Sequence, residues 1–310
     1  MSQQVQTMPA AEASVLIRSE RRHIVQAMHA RNRIALGILW VITTIVALIF
    51  IAIIVYLIVQ GFGSLFNPTF YSAGDAGIAP QLFNTFYMLI LSELFLFPIA
   101  LAAAIYLIEY APQGRLVTII HFAAETLAGV PSIVLGLFGF IVFGSYLGFH
   151  FSRIAGALTL LCLNLPIALR LFEDALAAVP RELREGSLAL GATKWQAIRS
   201  VVLPSALPGI VTGLILSAGK IIGEAAALIF TTGAFNPPNV FTLNPLIGSD
   251  TLTIHLWYIL TQGAGSTSLT ARQANVVSAG SATLLILILL AINLGARGIG
   301  RLITRRVTAA

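Results

Sequence analysis

Six long apolar runs divide the chain, at about 34–59, 82–108, 126–148, 154–172, 207–232 and 276–296. Each is close to the roughly 20 residues that carry a helix across about 30 Å of hydrocarbon. Two longer connections stand out, one over 173–206 and one over 233–275. The pattern predicts an all-α integral membrane protein with six transmembrane helices. The third run opens on a partly amphipathic stretch, VTIIHFAAETLAG. The first run lies too far from the start, and is too long, to read as a signal peptide.

Composition agrees with that reading. Hydrophobic residues make up 57% of the 310 positions and charged residues only 10%, with a mean hydropathy of +0.91. A water-soluble chain of this length carries far more charge. A single cysteine, Cys162, leaves no disulfide framework and no paired-cysteine metal site within the chain.

Charge orients the spans. With the N-terminus inside, fourteen Lys and Arg residues fall on the cytoplasmic side, and only Arg153 and Arg272 fall outside. Such a positive-inside bias accounts for the net charge of +6 without nucleic acid as a partner. Residues 1–33 then form a basic cytoplasmic tail beside anionic lipid, and 34–310 form the transmembrane domain. The connection 233–275 faces outward, with FNPPNVFTLNP irregular and TIHLWYIL a short interfacial helix.

The inner connection 173–206 contains EGSLALGATKWQAIRSVVLP at 185–204. Pro180 suits the first turn of a helix, and Glu182 and Glu185 sit near its positive end. Gly191 interrupts that helix, Thr193 can cap a second one over 194–202, and Pro204 is expected to stop it before the fifth span. Leu183, Leu188, Leu190, Trp195, Ile198 and Val201 are the apolar positions available for docking. A purely interfacial helix lying on lipid would need no glycine break.

The register Glu185, Gly186-Ser187, Gly191, Val201, Leu203-Pro204 resembles the EAA signature of ABC importer permeases. Longer phrases resemble the A-type permease subunit of the phosphate-specific Pst importer. They are AETLAGVPSIVLGLFG at 124–139, LPIALRLFEDALAAVPRELREGSLALGATKW at 165–195 and LPSALPGIVTGLILSAGKIIGEAAALIFTTGAF at 203–235. The resemblance runs from about residue 83 to the C-terminus. It implies a type I ABC importer permease fold in which 185–204 is a cytoplasmic coupling helix seated on a cytosolic ATPase. It also implies the partners: a second permease (PstC-like), an ATPase dimer (PstB-like) and an external phosphate-binding protein (PstS-like). ATP and Mg²⁺ belong to the ATPase, and this chain binds no cofactor. A bacterial plasma membrane location follows, with both termini cytoplasmic. Three departures from the family pattern concern Gly186, in place of alanine, Lys220, in place of arginine, and Ala227, in place of proline.

Charges inside the spans are few: Glu93, Glu125, Arg170, Lys220 and Glu224. An ionised group at mid-bilayer costs about 2.5–3.5 kcal/mol on insertion scales, so these are expected to face a bundle interior or a wet path. Lys220 lies thirteen residues into the fifth run, with Glu224 one helical turn further on the same face. A cation there can meet a passing anion, and a structural ion pair is the plainer alternative. Arg170, beside Glu173 and Asp174, and Glu93, in the second run, are the other path candidates. Loop anchoring and a helix–helix hydrogen bond are their respective alternatives.

No GxxxxGK[ST], HExxH or GxSxG motif is present. The sequence therefore points to the permease of an ATP-driven phosphate importer rather than an enzyme. The alternatives are a permease for another oxyanion and a stand-alone ion-driven transporter.

Overall fold

The computed structural model describes residues 10–73, 77–112, 114–233, 241–262 and 269–308, and every regular element among them is helical. The chain forms two units, Met1–Tyr56 and Leu57–Ala310. Helix α1 (Ala10–Gly61) accounts for the described part of the first unit. Its side chains from Arg31 to Tyr56 are exposed, as a lipid-facing helix requires. The second unit holds α2 (Ala79–Ile105), α3 (Arg115–Ala128), α4 (Ser132–Gly139), α5 (Arg153–Ala177), α6 (Arg181–Ala189), α7 (Lys194–Ala197), α8 (Leu203–Gly223), α9 (Ala226–Thr231), α10 (Leu252–Gln262) and α11 (Ala271–Thr308).

Five helical segments are long and apolar enough to span a bilayer: Arg31–Phe66, Ala79–Tyr110, Arg153–Ala177, Lys194–Gly223 and Ala271–Gly295. A bent pair, Arg115–Ala128 with Ser132–Tyr146, makes a sixth if it counts as one span. Helix α5 is the centre of the second unit, packing on α2 and α8, and α8 in turn packs on α11. Phe97 of α2 meets Phe172 of α5 edge-on, with ring centroids 5.8 Å apart. Helices α5 and α8 approach closely because Gly209 presents no side chain. A Cβ there would lie 2.6 Å from that of Ala175.

Three features differ from the sequence expectation. The third apolar run is not one rod: the chain turns by 101° between Ala128 and Ser132. Pro131 lacks the N–H needed to continue α3, and it disfavours helical geometry at Val130. The amphipathic α3 buries none of its residues in this chain. Next, Pro204 does not stop a short helix. The chain passes from α7 through a π-turn at Ile198–Val202 straight into α8, where Pro204 occupies the first turn. The wider π register absorbs the missing N–H and relieves the ring's clash with the preceding turn. Finally, the fifth span ends at Gly223 rather than continuing to 232, and Glu224 is extended (φ −78°, ψ 127°). In the outer connection, TIHLWYIL lies within α10, whereas FNPPNV falls outside the described residues.

Candidate functional site: a docking face and an intramembrane cation

At one end of the second unit, α6 and α7 form a helix–turn–helix. Gly191 makes the corner with φ +86°, a value open to glycine at no steric cost. Thr193 caps α7 reciprocally: Gln196 N–H donates to Thr193 Oγ1 (3.4 Å), and Thr193 N–H donates to Gln196 Oε1 (2.7 Å). Leu183, Leu188, Leu190 and Trp195 are exposed, Leu190 to 90%. Glu185, Gly186 and Pro204 are exposed as well, while Ser187 and Leu203 are half-buried. Ile198 departs from expectation. It is buried to 1% exposure inside this chain and is withdrawn from the docking face. An apolar cluster this open on a polar turn marks an interaction surface.

Sequence reading missed what braces this surface. Arg184 Nε donates to Glu109 Oε1 at 3.0 Å, and its two terminal nitrogens donate to the carbonyls of Val179 (2.5 Å) and Leu176 (2.7 Å). The Lys194 ammonium sits 4.9 Å above the Tyr110 ring. Glu109 and Tyr110, at the end of the second span, thus grip both short helices. Their partners lie 75 or more residues away in sequence, so no local signal announced them.

Lys220 projects from the exposed face of α8, in line with Thr212 and Leu216. Glu224 is not on that helical face. Its carboxylate turns back to accept the Ala227 N–H at 3.1 Å, and its carbonyl accepts the Thr253 hydroxyl at 3.0 Å. No Lys220–Glu224 ion pair within 4.0 Å occurs among the described residues. With Ala227 rather than proline in place, the helix still breaks between Gly223 and Ala226, where Glu224 is extended.

The other two path candidates lie elsewhere. Glu93 accepts the Ser217 hydroxyl at 2.5 Å, tying α2 to α8 in the manner of an interhelical hydrogen bond. Arg170 pairs with Asp174 (3.5 Å) at an exposed edge of α5. It lines a cleft of about 440 Å³ together with His121, Glu125 and Glu173. Within that cleft His121 Nε2 stands 3.2 Å from Glu173 Oε1. Lys220 and Glu224, Glu93, and Arg170 therefore occupy three separate places, and Lys220 is exposed on α8 with no carboxylate within 4.0 Å among the described residues.

The opposite end of the unit is tied by Arg153, which sequence reading took only as an outward charge. It is 1% exposed. It donates to Asn84 Oδ1 (2.7 Å) and to the carbonyls of Thr242 and Asn244, and it stacks 4.7 Å from the Tyr87 ring centroid. Gln81 donates to Asp250 Oδ2 at 3.0 Å, which itself lies 3.3 Å from His255 Nδ1. These bonds hold the connection before α10 against α2 and α5.

The family described as the inner membrane component of binding-protein-dependent transport systems matches residues 96–309. The chain belongs to that family. The match includes the docking face and the α8 cation, and it leaves out α1. This inner membrane component is 36% identical over 293 residues to the "Probable ABC transporter permease protein YqgI" of Bacillus subtilis, covering 90% of this chain and 98% of that protein. It is also 36% identical over 230 residues to the "Phosphate transport system permease protein PstA 1" of Mycobacterium tuberculosis, covering 74% and 72% of the two chains. Among solved structures, the MetNI methionine ABC transporter matches with a TM-score of 0.58 at 24% identity, over 73% of this chain and 95% of that one. A bacterial alginate ABC transporter matches with a TM-score of 0.56 at 18% identity, over 77% and 81%. These structures share the fold. The type I importer architecture and the multi-pass membrane character expected from the sequence are borne out.

Proposed function

We propose that this inner membrane component is the permease subunit of an ATP-driven importer of inorganic phosphate. The observation that carries the proposal is Lys220: an exposed cation in the last turn of an apolar span, with no carboxylate within ion-pair distance among the described residues. At a span end its ammonium can reach the polar boundary along its own stem, and in this reading the face that bears it borders a water-filled path or a partner subunit. A single point charge attracts a multivalent anion without enclosing it, and passage requires release as well as capture. The similarity to PstA 1 supports phosphate as that anion.

In this reading the path forms where the Lys220 face meets a second permease. The exposed Leu183, Leu188, Leu190 and Trp195 seat a cytosolic ATPase pair that uses ATP and Mg²⁺. An external binding protein delivers phosphate to the opposite end, and both termini are cytoplasmic. The deciding experiment is ATP-dependent uptake of labelled phosphate into proteoliposomes carrying the whole assembly. Phosphate accumulation that molybdate and sulfate fail to suppress is the expected result. ATP-driven accumulation of another oxyanion in its place overturns the choice of substrate.

A further inference from the structure

The two arginines at the end opposite the docking face have different fates. Arg153 is buried and engaged, whereas Arg272 is exposed on the first turns of α11. Arg272 has no carboxylate within 4.0 Å among the described residues. It lines a groove of about 260 Å³ whose other polar walls are Ser64, Asn67, Thr69 and Gln273. No acidic residue contributes to the groove among the described residues.

The Ser64 hydroxyl already donates to the Val276 carbonyl, whereas the two amides are set to donate into the groove. Asn67 uses its amide oxygen to accept from the Thr69 N–H (3.1 Å) and hydroxyl (2.8 Å), which leaves its NH₂ as the outward function. Gln273 likewise spends its amide oxygen on the Thr270 N–H (2.9 Å) and hydroxyl (2.8 Å). Two amide donors and a guanidinium fork around one concavity are complementary to phosphate oxygens. Aromatic rings stand on the same turns: Phe62, Phe66 and Tyr71 are exposed, Phe66 to 73%. Phe66 is also the last residue of an apolar span, and α11 begins another at Ala271. The groove therefore lies at the level where hydrocarbon gives way to headgroups.

We propose that this groove binds the phosphodiester headgroup of an anionic phospholipid, with Arg272 as the charged contact and Phe62 and Phe66 against the acyl chains. A free phosphate ion would satisfy the donors but would leave the exposed rings without a role. The site is separate from Lys220, and it does not depend on which oxyanion the assembly transports.

The test is native mass spectrometry of the detergent-purified assembly titrated with phosphatidylglycerol, with phosphatidylcholine and inorganic phosphate as the comparison probes. Wild type is expected to retain phosphatidylglycerol in preference to phosphatidylcholine, unaffected by millimolar phosphate. Arg272→Gln is expected to weaken phosphatidylglycerol retention by about tenfold, the loss of one charge-assisted bond. Gln273→Glu is the second variant. Its carboxylate can still accept from Thr270 and keep the α11 cap, yet it places a negative charge in the groove, so retention should fall with no change in melting temperature. Equal phosphatidylglycerol retention by wild type and both variants overturns the proposal. So does displacement of the lipid by inorganic phosphate, which would make the groove a site for the free ion.

Discussion

Ala227 donates its backbone N–H to the carboxylate of Glu224 at 3.1 Å, a bond that a proline at that position could not make. The contact redefines Glu224. It closes the first turn of α9 and is not the helical neighbour of Lys220. Ala227→Pro and Glu224→Ala should each lower stability by about 1.5–3 kcal/mol, the range for a hydrogen bond to a charged group. Because both remove one interaction, the double variant should be little worse than either single. Thermal melting of the purified assembly measures this, and fully additive losses would show that the bond contributes nothing.

Lys220→Gln should lower phosphate uptake sharply while leaving assembly and basal ATPase activity near normal, since the side chain is exposed and makes no ion pair among the described residues. Lys220→Arg should retain transport. Uptake at the wild-type rate in Lys220→Gln would reduce the lysine to a surface group. Failure of that variant to assemble would mean that its positive charge is held by a partner carboxylate.

The Arg184 brace should transmit movement from the docking face. Arg184→Ala removes three donors and leaves Glu109 without its guanidinium, a loss of about 1.5–3 kcal/mol at this partly buried site. ATP hydrolysis should continue while uptake falls. Gly191→Pro and Glu185→Arg should uncouple in the same way. Pro fixes φ near −65° where the corner needs +86°. Hydrolysis and uptake assayed together in one proteoliposome preparation decide the matter, and unchanged uptake per ATP refutes the role.

Gly186→Ala tests a departure from the family pattern. A Cβ at Gly186 meets nothing within 4 Å, so the substitution introduces no clash. It should stabilise α6 by up to about 1 kcal/mol through helix propensity alone. A higher melting temperature with undiminished uptake is the expected outcome. A drop in uptake would mean that the bare backbone of Gly186 is itself a docking surface.

The spans and the docking motif were legible because they are local patterns. Apolar runs declare themselves residue by residue, and the Glu185–Pro204 register needs no partner to be seen. The bend after α3 was also written locally, in Pro131, beneath an apolar run that hid it. The bend at Glu224 was not, because no proline marks it and its cause is a side chain closing on a downstream amide. Arg184 and Arg153 read as surface charges because sequence gives sign but not distance. Their acceptors include Glu109 and Asn84, both on the second span and distant in sequence from the arginines they bind. Lys220 stood out because a cation in an apolar run is conspicuous whatever packs around it.

The π-turn at Ile198–Val202 joins α7 to α8 with no break in the helix, so Lys194 and Gly223 are the two ends of a single 30-residue shaft. At 1.5 Å per residue the shaft is about 45 Å long, and a tilt of about 5° at one end sweeps the other through about 4 Å. The Arg184 brace lies beside the lower end of this lever and Lys220 rides near its tip. Under the proposed function, a small stroke delivered to Trp195 would arrive at the ammonium as a displacement larger than a hydrogen bond, enough to offer a charge to an anion on one stroke and withdraw it on the next.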